Sequence, residues 1–228
     1  MLSKESFIDG MTVLLDKPIG WTSFDVVKKI RGAIKGKYGI KKIKVGHAGT
    51  LDPLATGLLV ICIGKHTKKI QSYIDEKKTY SGVFLLGKTT PSFDLETEFN
   101  KVFSIEGVNM EQLALISKNF IGKQSQTPPI FSAKKVNGRR AYELARKGEE
   151  VPVKNAEIEI YDFEINIDSF PEISFSITCS KGTYIRSIVS DFGKALNNGA
   201  TLIKLRREAS GKQNILDAKT VEEFISSI

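Results

Sequence analysis

The order of its segments predicts that this 228-residue chain folds as one mixed α+β domain with a polar lobe inserted at about residues 121–154. Strand-like apolar runs and helix-period stripes follow one another along the chain, no internal repeat or low-complexity linker divides them, and residues 121–154 change character. Hydrophobic residues make up 41% of the chain and charged residues 26%, the balance of an ordinary globular protein long enough to bury a sizeable core. No apolar run approaches the roughly 18 residues of a membrane span. Lys4, Glu5 and Asp9 leave the N-terminus without a secretory apolar segment, so the expected location is cytoplasmic, with no membrane partner. Cys62 and Cys179 each lie inside an apolar run without CxxC spacing, which reads as two buried free thiols in a reducing compartment.

Residues 11–16 read as a short strand and Lys17-Pro18-Ile19-Gly20 as a turn. Thr22 and Asp25 fit a capping box, opening a helix whose apolar stripe is Val26, Ile30, Ala33 and Ile34. Residues 58–63 form a continuous apolar strand ended by Gly64, and Thr67, Ile70, Tyr73 and Ile74 suggest a helix behind it, with His66 as a surface residue ahead of it. The next strand, residues 78–86, contains a decoy. Residues 82–89 satisfy the letter of a phosphate-binding P-loop, but residues 83–86 are an uninterrupted apolar strand and Pro91 follows almost at once, so no loop wraps a phosphate and no nucleotide cofactor is expected.

Residues 110–120 look helical. The lobe then brings Pro128 and Pro129, followed by Lys134, Lys135, Arg139, Arg140, Arg146, Lys147 and Lys154 interleaved with Phe131, Tyr142 and Leu144. Such an excursion suits a surface insertion. Its basic and aromatic residues also suit single-stranded or looped RNA, which offers phosphates and exposed bases together. Residues 156–167 and 172–179 are two further strands, the second with Ile173, Phe175, Ile177 and Cys179 on one face and Ser174, Ser176 and Thr178 on the other. A helix with Ile185, Ile188, Val189, Phe192 and Leu196 inward, a strand at 201–207 and a terminal helix at 217–228 complete the chain.

The net charge of +8 is concentrated. Between Asp25 and Asp52 there is no acidic residue, while Lys28, Lys29, Arg31, Lys35, Lys37, Lys41, Lys42 and Lys44 supply eight positive charges, leaving 26 basic against 26 acidic residues elsewhere. That field leads directly into residues 46–59, Gly-His-Ala-Gly-Thr-Leu-Asp-Pro-Leu-Ala-Thr-Gly-Leu-Leu, and favours a polyanionic substrate steered toward it. Gly46, Gly49, Gly57 and Pro53 mark a loop that turns tightly or is closely approached. At its centre Asp52, ahead of Pro53, is pushed toward an extended conformation that holds its carboxylate out from the loop. On spacing alone the pair reads first as an Asp-Pro turn between two elements.

The run at 46–59 resembles the signature loop of the bacterial tRNA pseudouridine synthases of the TruB type, which modify uridine 55 in the T arm. The opening strand with Asp16-Lys-Pro-Ile-Gly20, residues 127–135 (Thr-Pro-Pro-Ile-Phe-Ser-Ala-Lys-Lys) and Cys179-Ser-Lys-Gly-Thr-Tyr-Ile-Arg-Ser187 are similar to that family as well, so the resemblance runs from about Val13 to about Lys212. It implies an α+β fold of pseudouridine-synthase type, a mixed, mainly antiparallel central sheet flanked by helices, with the lobe as a mobile RNA-binding thumb. It implies isomerisation of uridine to pseudouridine on a flipped-out base, with Asp52 as nucleophile and Arg186 as the guanidinium that keeps it ionised and aimed, a fork that lysine does not reproduce. Tyr80 corresponds to the tyrosine that stacks on the target base and serves in proton transfer. Tyr184 and Leu205 match positions lining the uridine pocket, His47 one that contacts the RNA, and Lys134 and Lys135 are the thumb's candidate contacts. No metal or cofactor is implied, and a monomer acting on the tRNA T-arm stem-loop is expected.

The chain departs from the family at Thr90-Pro-Ser-Phe-Asp94, where relatives often show Thr-Asp-Thr-x-Asp, which leaves the role of that loop open. Longer relatives carry a C-terminal RNA-binding domain of the PUA type. With none after Ile228, T-arm recognition is expected to rest on the catalytic domain and thumb, with weaker affinity for tRNA. Two other readings remain at this level: a non-catalytic module that binds or folds tRNA, which does not require Asp52, and an RNA glycosidase, which would release free uracil.

Overall fold

The structure, a computed structural model, describes residues 2–131, 135–136, 139–140, 144 and 154–228. Among these, the elements in chain order are α1 (Lys4–Asp9), β1 (Met11–Lys17), α2 (Ser23–Tyr38), β2 (Val45–Ala48), β3 (Ala55–Ile63), α3 (Ile70–Asp75), β4 (Lys78–Leu86), β5 (Lys88–Thr89), β6 (Lys101–Val102), α4 (Met110–Asn119), β7 (Gly122–Gln126), β8 (Lys135–Val136), β9 (Arg139–Arg140), β10 (Ala156–Ser169), β11 (Glu172–Cys179), α5 (Ile185–Ala195), β12 (Ala200–Ser210), β13 (Gln213–Asn214), β14 (Lys219–Thr220) and α6 (Val221–Ser226). They gather into two compact units, Met1–Ser81 with Leu205–Ile228, and Gly82–Lys204.

In the first unit β3 is the axis. It pairs antiparallel with the whole of β1, from Met11 opposite Ile63 to Lys17 opposite Gly57. On its other edge β2 pairs antiparallel along residues 60–63, and β12 pairs parallel along residues 55–57. The loop between β2 and β3 therefore leaves the sheet where β3 exchanges one neighbour for another. Burial on both faces explains why β3 reads as an unbroken apolar run rather than an alternating one. Helix α2 begins with the capping box read from the sequence: the Thr22 side chain accepts from the Asp25 N–H and the Asp25 side chain from the Thr22 N–H. Its stripe of Val26, Val27, Ile30 and Ile34 packs with Phe7, Leu15, Leu59, Ile61, Val221 and Phe224 into one core.

In the second unit the start of β12 (200–204), the end of β4 (82–86), β11, β10 and β7 are neighbours in that order. Strand β11 alternates as its sequence does, with Ile173, Phe175, Ile177 and Cys179 buried. A cluster of rings, Phe84, Phe120, Phe163, Phe175 and Phe192, forms this unit's core at centroid distances of 5.1–6.2 Å. Residues 82–86 are indeed strand, not a phosphate loop. The first residues of the expected lobe, Gly122–Gln126, pair antiparallel with Ala156–Ile160 and so belong to the sheet.

Three local expectations are corrected. The chain opens with α1, capped by reciprocal Ser3 and Ser6 contacts, where no element was expected, because serine at the third helical position is not the acidic residue the capping pattern looks for. The terminal helix is only Val221–Ser226; Ala218 is extended and Lys219–Thr220 pair parallel with β1 ahead of it. His66 is half-buried within a 3-10 turn, its Nδ1 3.1 Å from Thr12 Oγ1 and its Nε2 3.0 Å from Lys69 Nζ, rather than a bare surface residue. Both cysteines are free and buried, as expected.

Candidate active site

Asp52 sits half-buried in the loop between β2 and β3, and Gly49, Leu51 and Pro53 of that loop are held by groups from elsewhere in the first unit. The Gly49 carbonyl accepts from Arg207 Nη2 at 3.2 Å. Leu51 is clamped by one hydroxyl, its N–H donating to Ser23 Oγ at 2.8 Å while Ser23 Oγ donates back to its carbonyl at 3.2 Å. The Asp52 carbonyl accepts from the Ala55 N–H at 3.1 Å, and the Pro53 carbonyl from the Gly20 N–H at 2.8 Å. Bonds on both sides of Asp52 present the aspartate on a braced backbone.

Two buried cations complete the hold. Lys17, at the end of β1, is fully buried; its Nζ donates to the carbonyl oxygens of Trp21 at 2.6 Å, Pro18 at 2.9 Å and Pro53 at 3.4 Å. Burial pulls its pKa down to about 8, Arg207 acts in the same sense, and the charges of Asp52, Asp16 and Asp25 oppose this. Lys17 is thus an electrostatic neighbour of the candidate nucleophile. Arg207, buried to 1% exposure, also donates Nε to the Leu58 carbonyl at 2.6 Å. It requires the glycine at 57: with φ at +101°, a Cβ there would lie 2.4 Å from the Arg207 carbonyl oxygen. Arg206, next along β12, makes a fork with Asp16 at 2.7 and 3.1 Å, which raises its pKa.

Of the residues predicted from sequence, His47, Tyr80 and Leu205 share this unit with Asp52. Leu205 lies opposite Ala55 in the parallel pairing, three residues beyond Asp52. His47, half-buried on β2 opposite Ile61, has its pKa lowered by burial and by Arg207 against a hydrogen bond with the Gly49 backbone, so it is neutral near pH 7. Tyr80 is buried on β4.

Tyr184 and Arg186 belong to the second unit, at the start of α5. Arg186 is only 3% exposed, and its guanidinium gathers three segments. Nη2 donates to the Phe131 carbonyl at 2.8 Å, Nη1 to the Ser92 carbonyl at 3.2 Å, and Nε lies 3.5 Å from Asp94 Oδ2, itself buried. The open question of the 90–94 loop thus has a structural answer here: it supplies an acid and a carbonyl to Arg186. Gln126 clamps Tyr184 from both sides, Nε2 donating to its carbonyl at 3.1 Å and Oε1 accepting from its N–H at 2.8 Å, while Ser187 Oγ donates to the Thr127 carbonyl at 2.8 Å. Lys134 lies outside the described residues. Lys135 is described only as backbone, paired with Arg140 in a two-residue ribbon, and its side chain lies outside them.

Sequence reasoning missed Lys17, Ser23 and Arg207 in the first unit and Asp94, Gln126 and Ser187 in the second. Lys17 and Arg207 stood within motifs already singled out, but nothing in their spacing marks a cation as buried.

The chain matches the model described as the TruB family pseudouridylate synthase N-terminal domain over residues 35–185. It is 46% identical over 228 residues to a Flavobacterium johnsoniae protein named tRNA pseudouridine synthase B, covering all of both chains. It is 49% identical to a Phocaeicola vulgatus protein of the same name, covering 96% of this chain and 93% of that one. Among solved structures, a chain of the crystallised Cbf5-Nop10-Gar1 complex superposes with a TM-score of 0.72 at 25% identity, over 96% of this chain; this chain spans 54% of that one. A family match over residues 35–185, agreement in fold and near-half identity from end to end place the chain in one group: it belongs to the TruB family of pseudouridylate synthases.

Proposed function

We propose that this chain isomerises uridine 55 in the T arm of tRNA to pseudouridine, with Asp52 as the nucleophile on a flipped-out nucleotide. The observation that carries the reading is the loop at 49–55, where Asp52 stands on a backbone anchored by Ser23, Gly20, Lys17 and Arg207 beside a buried ammonium. Full-length similarity to proteins named tRNA pseudouridine synthase B supports tRNA as the substrate. The reaction breaks the bond from uracil N1 to the ribose, turns the base and joins C5 to the same carbon. The proton leaves C5 and N1 gains one, so nothing is consumed. A carboxylate suits the step because it attacks or stabilises an electron-poor centre and then departs. Extruding the base costs a few kcal/mol, which a pocket with stacking aromatics and phosphate contacts repays.

The roles follow the motifs. Arg186 partners the Asp52 carboxylate, Tyr80 stacks on the base and moves the proton, Tyr184 and Leu205 line the uridine pocket, and His47 contacts the RNA as a neutral donor or acceptor. Lys134 and Lys135 bind the T arm from a thumb within about 121–154. The protein works as a cytoplasmic monomer and one catalytic domain. Among the described residues no helix is long and apolar enough to cross a membrane. The test is incubation with an unmodified tRNA transcript: the wild type yields pseudouridine at the T-loop uridine, and Asp52→Asn binds tRNA with turnover reduced by at least about 10³. Free uracil as product, or Asp52→Asn turning over as the wild type does, overturns the reading.

A further inference from the structure

The first unit carries an open groove of about 730 Å³ along α2, lined also by Ile225 of α6. Its lining combines two exposed lysines, a tryptophan that also packs on the core cluster, and a helix-interior glycine. Lys28 and Lys29 are exposed and belong to the run that supplies the chain's entire excess charge. Trp21, the only tryptophan, is half-buried and lines the groove. Gly32 sits in the interior of α2, where glycine costs roughly 0.5–1 kcal/mol relative to alanine, yet a Cβ built there meets nothing within 4 Å. Among the described residues the helix surface at Gly32 is therefore open. The single acid of the lining, Asp25, is committed to the helix cap, accepting from the Thr22 N–H at 2.9 Å and the Thr22 hydroxyl at 2.6 Å. The groove also lies next to the reactive loop, because Gly20 on its rim donates to the carbonyl of Pro53, the residue after Asp52.

We propose that this groove is a second RNA subsite, which holds a stretch of sugar–phosphate backbone outside the reactive uridine and stacks one base on the Trp21 indole. It rests on the proposed RNA substrate and deepens it. Lysines flanking an aromatic ring are the chemistry of a backbone-tracking site that tolerates any base, and a bare helix surface at Gly32 lets a backbone approach closely. An acidic protein segment would meet the lysines but has no use for a base-stacking ring beside them; a second copy of a chain with net charge +8 would bring like charge to the groove.

The lone tryptophan makes the test direct. Titrating the full chain with an unmodified T-arm stem-loop RNA quenches Trp21 fluorescence, and in turnover assays the double variant Lys28→Ala/Lys29→Ala raises KM about tenfold. It also lowers the slope of log affinity against log salt by about 1.5–2, because two phosphates are no longer neutralised by lysine. Gly32→Glu, which the open helix surface accepts without a clash, sets a negative charge in the groove and raises KM at least as far while the melting temperature holds. Wild-type KM and salt slope in both variants, with pseudouridine still formed, overturn the groove and leave the proposed activity standing. An unquenched Trp21 under saturating RNA, or a fluorescence that changes with protein concentration alone, also overturns it. A wild type that quenches but makes no pseudouridine supports the groove and defeats the activity instead.

Discussion

The first unit uses positive charge in two opposite ways. Lys17 and Arg207 are buried and aimed at carbonyl oxygens of the Asp52 loop and its neighbouring strand, whereas Lys28, Lys29, Lys35, Lys41, Lys42 and Lys44 are exposed along and beyond α2. A buried cation works as a multiple hydrogen-bond donor whose geometry fixes backbone, and salt barely reaches it. An exposed one contributes a field that decays over about 8–10 Å in physiological salt and matters to an approaching polyanion. The lesson is that charge near this loop divides into structure and steering by burial alone.

The sharpest way to break the contrast is to remove a buried member. Arg207→Leu leaves the Leu58 and Gly49 carbonyls without their donor and part of its volume empty, so stability should fall by about 3–5 kcal/mol, read from the midpoint of urea unfolding. Lys17→Met should cost about 1–3 kcal/mol at pH 7, because three carbonyls lose a donor while the burial of an ammonium is relieved. Its pH dependence separates it from Arg207. With the folded pKa near 8 and the unfolded value 10.5, the unfolded chain binds more protons between those limits. Wild-type stability should therefore rise as pH climbs from 8 to 10.5, and the variant should lack that rise. A difference between wild type and variant that stays flat across that window would show that Lys17 is not held in a depressed state.

His47 refines the comparison with a smaller effect. Its pKa is lowered in the folded protein by burial and Arg207, so the unfolded chain takes up the proton first as pH drops below 6.5. The contribution of this group is present above pH 6.5 and is lost on acidification at no more than about 1.4 kcal/mol per pH unit. The difference between wild type and His47→Asn, followed from pH 7.5 to 5, isolates it. An unchanged difference over that range would mean the imidazole is not disfavoured as a cation.

Much of this was legible where the information is local. The Thr22 and Asp25 box, the alternation of β11 and the unbroken run of β3 each carry their cause within ten residues, and the structure reproduces them. What escaped depends on partners far along the chain. Arg207 is an unremarked member of the 201–207 strand until β12 pairs with β3 and brings it to Gly49, 158 residues away in sequence. Asp94 gains meaning only as the neighbour of Arg186, and Gln126 only as the clamp on Tyr184. The short terminal helix was overdrawn because an apolar stripe does not reveal that Lys219 and Thr220 join a strand first.

Two glycines of the first unit show the same division at the smallest scale. Gly57 is demanded by its positive φ and by the Arg207 backbone, whereas Gly36, on the exposed side of α2 among the lysines, has an ordinary helical conformation and open space around a built Cβ. Gly36→Ala should accordingly raise stability by about 0.5–1 kcal/mol, since alanine restricts the unfolded chain and meets no clash in the helix. A urea midpoint that stays put or falls would mean that α2 needs this glycine in the folded state. The exposed lysine face would then carry a structural constraint of its own, and the division between a fixed interior and a free steering surface would fail at that helix.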